Sequence, residues 1–321
     1  MQFLIINYTI GGINSMKTIT LGSSQLNIPR VAVGCMRMNS LNSSQAETFV
    51  NGAIELGVNF FDHADIYGGG TCEELFGSVL HKNPGLREKI ILQSKAGIVP
   101  GVMYDNSKEY LINAVDNILK RLHTDYLDIF LIHRPDALAD VQDTADALDY
   151  LHRSGKVKYL GVSNYRVGQM QLLSKYLENK LMVNQLQLSL TNSSMIQSGF
   201  EANMLSDGAV DRDGGILDYC RMNDITIQTW SPFQFGAIEG TFLGNPDFPE
   251  LNEEINLIAE KYNTSNTAIA AAWILRHPAN MQVITGSTKL ERLQDVCEAT
   301  NITLSKEDWY RLYLAAGHIL P

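Results

Sequence analysis

Residues 107–134 read SKEYLINAVDNILKRLHTDYLDIFLIHR, and this stretch joins a helical pattern to a strand pattern. In its first part, apolar side chains recur at the three- and four-residue spacing of a helix that packs one face on a sheet; they are Leu111, Ile112, Val115, Ile118, Leu119 and Leu122. Its second part, 127–134, is a short apolar run typical of a buried strand. The stretch therefore predicts a helix followed by a strand, the repeating unit of an α/β fold.

The same alternation runs along most of the chain. Strand patterns occur at 30–36, 58–64, 89–97, 127–134, 159–164, 183–190, 226–233 and 282–287. Helical patterns lie between them, and a further one follows the eighth strand. Eight such units in about 270 residues predict an α/β fold of the (β/α)8 TIM barrel type. Before the first unit, MKTITLG and LNIPRVAV flank a GSS turn and predict an N-terminal β-hairpin.

A doubly wound open sheet is the alternative architecture, and it predicts a glycine-rich G-x-G-x-x-G fingerprint after the first strand. The chain instead reads VGCMRMNS at 33–40, which favours the barrel. Two long segments, 191–215 and 234–250, follow the sixth and seventh strands. We predict that they are loops that shape a substrate pocket, because loops at that face of a barrel usually do so.

Composition limits the classes of partner. The 321 residues are 45% hydrophobic and 19% charged, with a formal net charge of −10 and no basic tract, so neither nucleic acid nor an anionic membrane surface is expected. No apolar run approaches the roughly 20 residues needed to span a bilayer. The four cysteines form no C-x-x-C pair and predict free thiols in the cytoplasm; they are Cys35, Cys72, Cys220 and Cys297.

The first fifteen residues do not resemble a secretory signal, since no Lys or Arg precedes Lys17. The codons for Ile10-Gly11-Gly12 can spell a ribosome-binding sequence, and Met16 follows at a suitable spacing. We therefore expect residues 1–15 to be an unstructured leader or a mis-assigned start, and residues 16–321 to form a single barrel domain.

Polar or aromatic residues close nearly every predicted strand, and in a barrel these ends meet at one mouth. They are Asp62 and Tyr67 after the second strand, Lys95 at the third, His133 at the fourth, Ser163 and Asn164 at the fifth, Gln185 on the sixth, Trp230 and Ser231 at the seventh, and Gly286, Ser287 and Thr288 at the eighth. Each one alone has an ordinary structural explanation as a cap, a surface charge or a core residue. Their placement together at one mouth points instead to a site.

Other chemistries fit the sequence poorly. His63 and His133 lie on different strand ends with no H-x-H or H-E-x-x-H spacing, so we predict no metal. No G-x-S-x-G elbow suggests a nucleophilic serine. The acids Asp62, Asp65 and 73–74 lie in or beside one loop, which is a poor arrangement for flanking a sugar from two faces.

At this point a resemblance becomes specific. The segment GVNFFDHADIYGGGTCEELFG at 57–77 resembles the G-x-x-x-F-D-x-A-x-x-Y-G signature of the aldo-keto reductases. SKAG, LIHRPD, GVSNY, NQLQLS, WSP and GSTKLERL follow in that family's order, and the resemblance covers nearly all of 17–317. It is greatest to bacterial oxidoreductases carrying ADIYGGG-CEELFG.

The resemblance implies a catalytic tetrad of Asp62, Tyr67, Lys95 and His133 that reduces a carbonyl with hydride from a nicotinamide. Tyr67 would protonate the developing alkoxide as general acid. Lys95 would lower the phenol pKa, and Asp62 would hold Lys95 in its charged form. His133 would donate a hydrogen bond to the carbonyl oxygen.

The remaining strand ends would bind the cofactor. Family members hold the nicotinamide carboxamide with residues that correspond to Ser163, Asn164 and Gln185. Trp230 occupies the position of an aromatic stacked on the nicotinamide ring, where tyrosine is common. The other expected cofactor contacts are Met36 and Arg37 after the first strand, Ser231 and Phe233 along the pyrophosphate, Gly286, Ser287 and Thr288 before a helix N-terminus, and Arg292 at the adenosine 2′-phosphate.

One position departs from the family pattern, because many members carry Lys where this chain has Gly286. Arg292 remains and can recognise phosphate alone. We therefore expect NADP(H) to be preferred over NAD(H).

The expected function is NADPH-dependent reduction of a small-molecule aldehyde or ketone by a monomer. Two alternatives stay open. One is a non-catalytic NADP-binding subunit that senses redox state within a larger assembly. The other is a dehydrogenase that works in the oxidative direction on a polyol or a sugar. Besides 191–215 and 234–250, Arg134 and the segment 36–38 are expected at the substrate pocket.

Overall fold

The structure is a computed structural model that describes residues 16–320. The hypothesis of a leader at 1–15 lies outside the described residues. Among those described, no helix is both long and apolar enough to cross a bilayer.

Eight parallel strands close into a barrel, which confirms the predicted fold class. Around the barrel the order is β6–β7–β8–β1–β2–β3–β4–β5, so each strand lies beside its neighbours in the chain and β8 pairs with β1. The strands are β1 (Val31–Gly34), β2 (Phe60–Asp62), β3 (Ile91–Ala96), β4 (Leu127–Ile132), β5 (Val157–Ser163), β6 (Leu181–Gln187), β7 (Thr226–Trp230) and β8 (Gln282–Thr285). Each lies within or overlaps its predicted run.

Successive side chains of each strand point to opposite faces of the barrel wall. One apolar cluster therefore lies inside the barrel and a second lies on its outside. The smaller cluster fills the lower interior and includes Ala32, Phe60, Ile129 and Ile284. The hairpin Thr18–Thr20/Asn27–Pro29 precedes β1, and Leu21 and Ile28 from it join this interior cluster. The hairpin therefore closes the amino-terminal end of the barrel and leaves only the carboxyl end open.

The larger cluster packs helices on the outside of the strands. Helix α3 shows why the opening stretch folds as predicted: Ser107 caps its first turn by accepting from the Tyr110 N–H, and His123 ends it in the left-handed conformation at φ 50°. The helices within residues 16–320 are α1 (Ser43–Glu55), α2 (Thr71–Lys82), α3 (Lys108–Leu122), α4 (Val141–Arg153), α5 (Val167–Ser174), α6 (Ser194–Phe200), α7 (Ile216–Met222), α8 (Pro249–Tyr262), α9 (Asn266–Leu275), α10 (Leu290–Glu298) and α11 (Lys306–Ala315).

Three details differ from the sequence expectations. The N-terminal hairpin ends at Pro29, and the residues from Val31 onward belong to the barrel rather than to the hairpin. The segment 191–215 is not a simple loop, since it contains α6. The segment 234–250 begins as a small hairpin, Gln234–Phe235 with Gly240–Thr241, and reaches the start of α8 at Pro249.

Candidate active site

A cavity of about 650 Å³ opens at the carboxyl end of the barrel, a size suited to a small ligand or a cofactor. It is lined by every candidate site residue except Lys95, which is fully buried behind the wall; those lining it are Met36, Asp62, Tyr67, His133, Ser163, Asn164, Gln185, Trp230, Ser231, Phe233, Gly286, Ser287, Thr288 and Arg292. The fold thus brings the predicted strand ends to one mouth.

Asp62 and Lys95 form a buried ion pair at the base of this cavity. The Lys95 ammonium donates to both Asp62 carboxylate oxygens at 2.7 Å and to the His63 carbonyl at 2.8 Å. Burial alone lowers the pKa of Lys95, but the charge of Asp62, with contributions from Tyr67, outweighs it and raises the pKa above the ordinary value. Lys95 therefore stays protonated although it has no exposed surface.

Tyr67 lies above this pair because the chain turns sharply after β2. Its ring centroid is 5.1 Å from Lys95 Nζ. Burial raises the pKa of Tyr67, and the Lys95 charge lowers it by less, so the pKa of the phenol stays above its ordinary value. From the sequence only the lowering of the phenol pKa by Lys95 is expected, whereas in the structure burial is the larger effect.

Three glycines make the turn after Tyr67 possible. Gly68, Gly69 and Gly70 all have positive φ, which glycine adopts without strain. A β-carbon at Gly68 would come within 2.5 Å of the side chains of Asn39 and Thr71. The GGG run therefore allows the tight approach that places the tyrosine over the mouth.

His133 contacts Tyr67 edge to face, with ring centroids 6.1 Å apart and an interplanar angle of 84°. Burial, then the positive charges of Lys95 and Arg134, hold the pKa of His133 well below its usual value. The imidazole is therefore neutral at physiological pH and offers an N–H rather than a charge to a substrate oxygen.

The opposite wall carries the residues expected around a nicotinamide. The Trp230 Nε1–H donates to Asn164 Oδ1 at 3.2 Å, and Asn164 Nδ2 donates to Ser163 Oγ at 2.8 Å, so these three side chains form one wall. Asn164 and Ser231 both have positive φ, at 60° and 51°. Left-handed backbone at non-glycine strand ends is the kind of strain that clusters at binding sites.

The rim beside β8 is positively charged. Arg37 Nη1 donates to the Gly286 carbonyl at 3.3 Å and lies 2.9 Å from the place where a β-carbon at Gly286 would be. Arg37 thus fills space that a side chain at 286 would need. Lys289 and Arg292 also line this rim, although only Arg292 was singled out as a site residue from sequence. The cavity end between Arg37 and Arg292 suits phosphate groups.

The remaining wall comes from one of the two predicted loops. Ile238, Thr241 and Leu243 line the cavity, as expected for 234–250. None of residues 191–215 does, so that part of the pocket prediction was wrong. Among residues 16–320, no group of three or more His, Cys, Asp or Glu side chains is arranged to hold a metal ion.

Comparison with known proteins identifies the family. The Aldo/keto reductase family model matches residues 18–314. The chain belongs to the aldo-keto reductase family. This aldo-keto reductase is 35% identical over 316 residues to the uncharacterized oxidoreductase YcsN of Bacillus subtilis (strain 168), an alignment that covers 93% of this chain and 98% of the relative.

Two further relatives of this aldo-keto reductase carry more specific descriptions. A 6-dehydroglucose reductase from Novosphingobium aromaticivorans is 34% identical over 310 residues, covering 94% of this chain and 96% of the relative. A crystal structure of an aldo/keto reductase from Klebsiella pneumoniae in complex with NADP and acetate superimposes with a TM-score of 0.72 at 26% identity, covering 92% of this chain and 94% of that one. The chain is therefore an oxidoreductase of a family whose solved relatives include an NADP complex.

Proposed function

We propose that this aldo-keto reductase uses NADPH to reduce an aldehyde or a ketone to an alcohol, with Tyr67 as the general acid. The observation that carries the proposal is the position of the Tyr67 ring, on the cavity wall and directly over the buried Lys95–Asp62 pair. A nicotinamide bound in the cavity would supply a hydride to the carbonyl carbon. The protein must then supply a proton to the carbonyl oxygen.

Tyr67 is suited to that proton transfer, since its phenol is fully protonated at neutral pH. The phenolate left behind is stabilised by Lys95, whose charge is secured by Asp62. His133, on the adjacent wall, donates a hydrogen bond to the carbonyl oxygen and holds it near Tyr67. Because the imidazole is neutral, it orients the substrate without competing with Tyr67 as the acid.

The charges at the rim support NADP(H) over NAD(H). Arg292 and Lys289 line the cavity close to the start of α10, and Arg37 lies against Gly286. These cations suit a cofactor that carries a 2′-phosphate in addition to its pyrophosphate. The crystallised relative in complex with NADP agrees with this choice.

We also propose that the substrate is an oxygen-rich carbonyl compound. Arg134 lines the cavity beside His133, and its guanidinium has no hydrogen-bond or ion-pair partner among the described residues. Asp136, two residues on, is already occupied, because its oxygens accept from the backbone N–H groups of Asn106 and Leu138. Arg134 can therefore bind substrate oxygens, and the relative named 6-dehydroglucose reductase suggests an oxidised sugar.

The test measures NADPH consumption by the purified protein with a panel of aldehydes, ketones and oxidised sugars. Each substrate is also assayed separately with NADH in place of NADPH. The proposal expects turnover with NADPH, better with hydroxylated carbonyl compounds than with simple alkanals. Binding of NADPH with no turnover on any carbonyl would favour the redox-sensing alternative. If NADP⁺ were reduced with sugars or polyols much faster than NADPH is oxidised with any carbonyl compound, the dehydrogenase alternative would be favoured.

A further inference from the structure

Four buried glutamines lie inside the barrel directly below the Asp62–Lys95 pair, where an apolar layer would otherwise fill the space. They are Gln93 on β3, Gln185 on β6, Gln228 on β7 and Gln282 on β8. Burying four amides is costly unless their polar atoms are paired. Of the four, only Gln185 lines the cavity.

The amides form one continuous hydrogen-bond network. Gln93 Nε2 donates to Asp62 Oδ1 at 2.6 Å and to Gln228 Oε1 at 2.8 Å. Gln185 Nε2 donates to the same two oxygens at 3.2 and 3.0 Å. Gln228 Nε2 donates to the Oε1 atoms of Gln93 and Gln282, at 3.1 and 2.8 Å. Both protons of three amide groups are therefore used within the network.

The two ends of the network fix the direction of every amide. At one end, the ionised carboxylate of Asp62 only accepts hydrogen bonds, so Gln93 and Gln185 must each turn their NH₂ group toward it. At the other end, Gln282 Nε2 donates at 2.7 Å to the Pro29 carbonyl, which also only accepts. Rotating the side-chain amide of any one glutamine by half a turn would place two oxygens or two NH₂ groups face to face.

This order has a consequence for the cavity. Because both protons of the Gln185 NH₂ group point down into the network, the amide atom left to face the cavity is its carbonyl oxygen. A carbonyl oxygen accepts a hydrogen bond and repels a carboxylate. The site therefore selects a ligand that brings an N–H donor to this point.

We propose that Gln228 is a positioning residue that locks Gln185 with its oxygen toward the cofactor, so that the site accepts a nicotinamide carboxamide and rejects a carboxylate in its place. Gln93 supports Gln228 from the Asp62 side. Neither Gln93 nor Gln228 has exposed surface, so both act through Gln185 and not by contact with ligand. The inference rests on the proposed function, since it requires the nicotinamide to bind at Gln185.

The test compares dissociation constants for three ligands, measured by calorimetry without turnover. They are NADP⁺, its analogue with nicotinic acid in place of nicotinamide, and 2′-phospho-ADP-ribose, which lacks the pyridine ring. Wild type is expected to bind NADP⁺ at least about tenfold more tightly than the nicotinic acid analogue. In Gln228→Met, the Gln185 NH₂ group loses its 3.0 Å hydrogen bond to Gln228 and keeps only the longer one, 3.2 Å to Asp62. The Gln185 amide is then held less firmly and turns its NH₂ group to the cavity more readily, so this preference is expected to fall by about fivefold or more. Affinity for 2′-phospho-ADP-ribose is expected to stay unchanged.

The matched control is Asn184→Leu. Asn184 neighbours Gln185 on β6 and is equally buried, but its Nδ2 donates away from the network, to the Tyr165 carbonyl at 3.0 Å. A general loosening of the barrel would weaken the binding of all three ligands alike in both variants. Only Gln228→Met should change the ratio of the dissociation constants for NADP⁺ and its nicotinic acid analogue. Gln93→Met is the second variant and should lower the ratio by a smaller factor.

The outcomes separate the two proposals. An unchanged ratio in folded Gln228→Met or in Gln93→Met, or an equal loss for all three ligands, would overturn the inference while leaving the reductase proposal intact. Failure of wild type to bind any of the three ligands would overturn both.

Discussion

The ammonium of Lys95 lies 2.7 Å from each carboxylate oxygen of Asp62, and neither side chain is more than 2% exposed. A lysine buried this deeply without a partner would tend to lose its proton. The pairing therefore does more than hold the two strands together, because it keeps a positive charge in place beneath the Tyr67 ring.

The first prediction concerns that charge. Asp62→Asn keeps the shape of the side chain but removes the counter-charge, so the pKa of Lys95 should fall and its stabilisation of the Tyr67 phenolate should weaken. We expect kcat for carbonyl reduction to drop by about 100-fold or more. Asp65→Asn is the matched control, since Asp65 lies in the same turn and bonds Lys95 only through its backbone N–H, which donates to the Lys95 carbonyl at 2.9 Å, and not through its carboxylate. Equal losses in the two variants would contradict the pairing argument.

The second prediction concerns pH. Reduction needs the protonated phenol, and burial raises the pKa of Tyr67 above its ordinary value. The profile of kcat/KM should therefore stay flat through neutral pH and fall only above the ordinary phenol pKa of about 10. The low pKa of His133 means that no second limb should appear near the usual histidine value of about 6.5.

In Lys95→Met, removing the positive charge should raise the pKa of Tyr67 further, moving the alkaline limb upward while kcat falls. A wild-type limb between about pH 7 and about pH 8 would contradict the assignment of Tyr67 as the acid.

The third prediction concerns the support beneath the Tyr67 turn. Glu73 is fully buried; it accepts from Ser94 Oγ at 2.6 Å and from Arg121 at 2.7 and 2.8 Å. A β-carbon at Gly70 would lie 3.0 Å from Arg121 Cδ, so this arginine also packs under the glycine turn. Arg121→Met would leave a buried carboxylate without its cation. We expect it to lower the free energy of unfolding by about 3 kcal/mol, measured by urea denaturation.

The pH dependence of that loss has a defined sign. Burial already raises the pKa of Glu73, and removing Arg121 should raise it further. A raised carboxyl pKa destabilises the folded state most above that pKa, so the cost of Arg121→Met should shrink as pH falls. The double variant with Glu73→Gln should recover part of the loss. A cost below about 0.5 kcal/mol would show that the pair behaves as a surface contact.

The fourth prediction concerns the choice of cofactor. Arg292→Ala should weaken NADPH binding by about tenfold or more, because a charge-assisted contact to the 2′-phosphate is lost, and should change NADH binding little. Fluorescence titration with both cofactors measures this difference. Arg292→Lys, which keeps the charge but loses the two-pronged geometry, should lie between wild type and Arg292→Ala. Equal weakening of NADPH and NADH would place Arg292 away from the 2′-phosphate.

The sequence predicted the parts of this molecule that depend on local pattern. The eight strands alternate with helices strongly enough to be read from periodicity, and the strand ends follow from the barrel. Helix α8 was missed although Leu251, Ile255 and Ile258 repeat at helical spacing, because two helices follow β7 and a simple strand–helix alternation predicts only one. Helix α11 was also missed, and the short α6 offers only seven residues of pattern.

The features that escaped the sequence depend on which side chains meet across the barrel. The sequence around Gln93 and Gln228 does not show that both amides face inward directly below Asp62, since that requires the register of β3 against β7 through the closed barrel. Likewise, Arg37 and Gly286 are 249 positions apart in the chain and meet only because β8 pairs with β1. Contacts of this kind are set by topology rather than by local pattern.

The role of Tyr67 is tested by the variant Tyr67→Phe, which removes only the phenolic oxygen. We expect kcat for carbonyl reduction to fall by about 1000-fold or more, while the dissociation constant for NADPH stays within about twofold of wild type. Near-full turnover by Tyr67→Phe, with NADPH still bound, would contradict the central claim that this phenol supplies the proton.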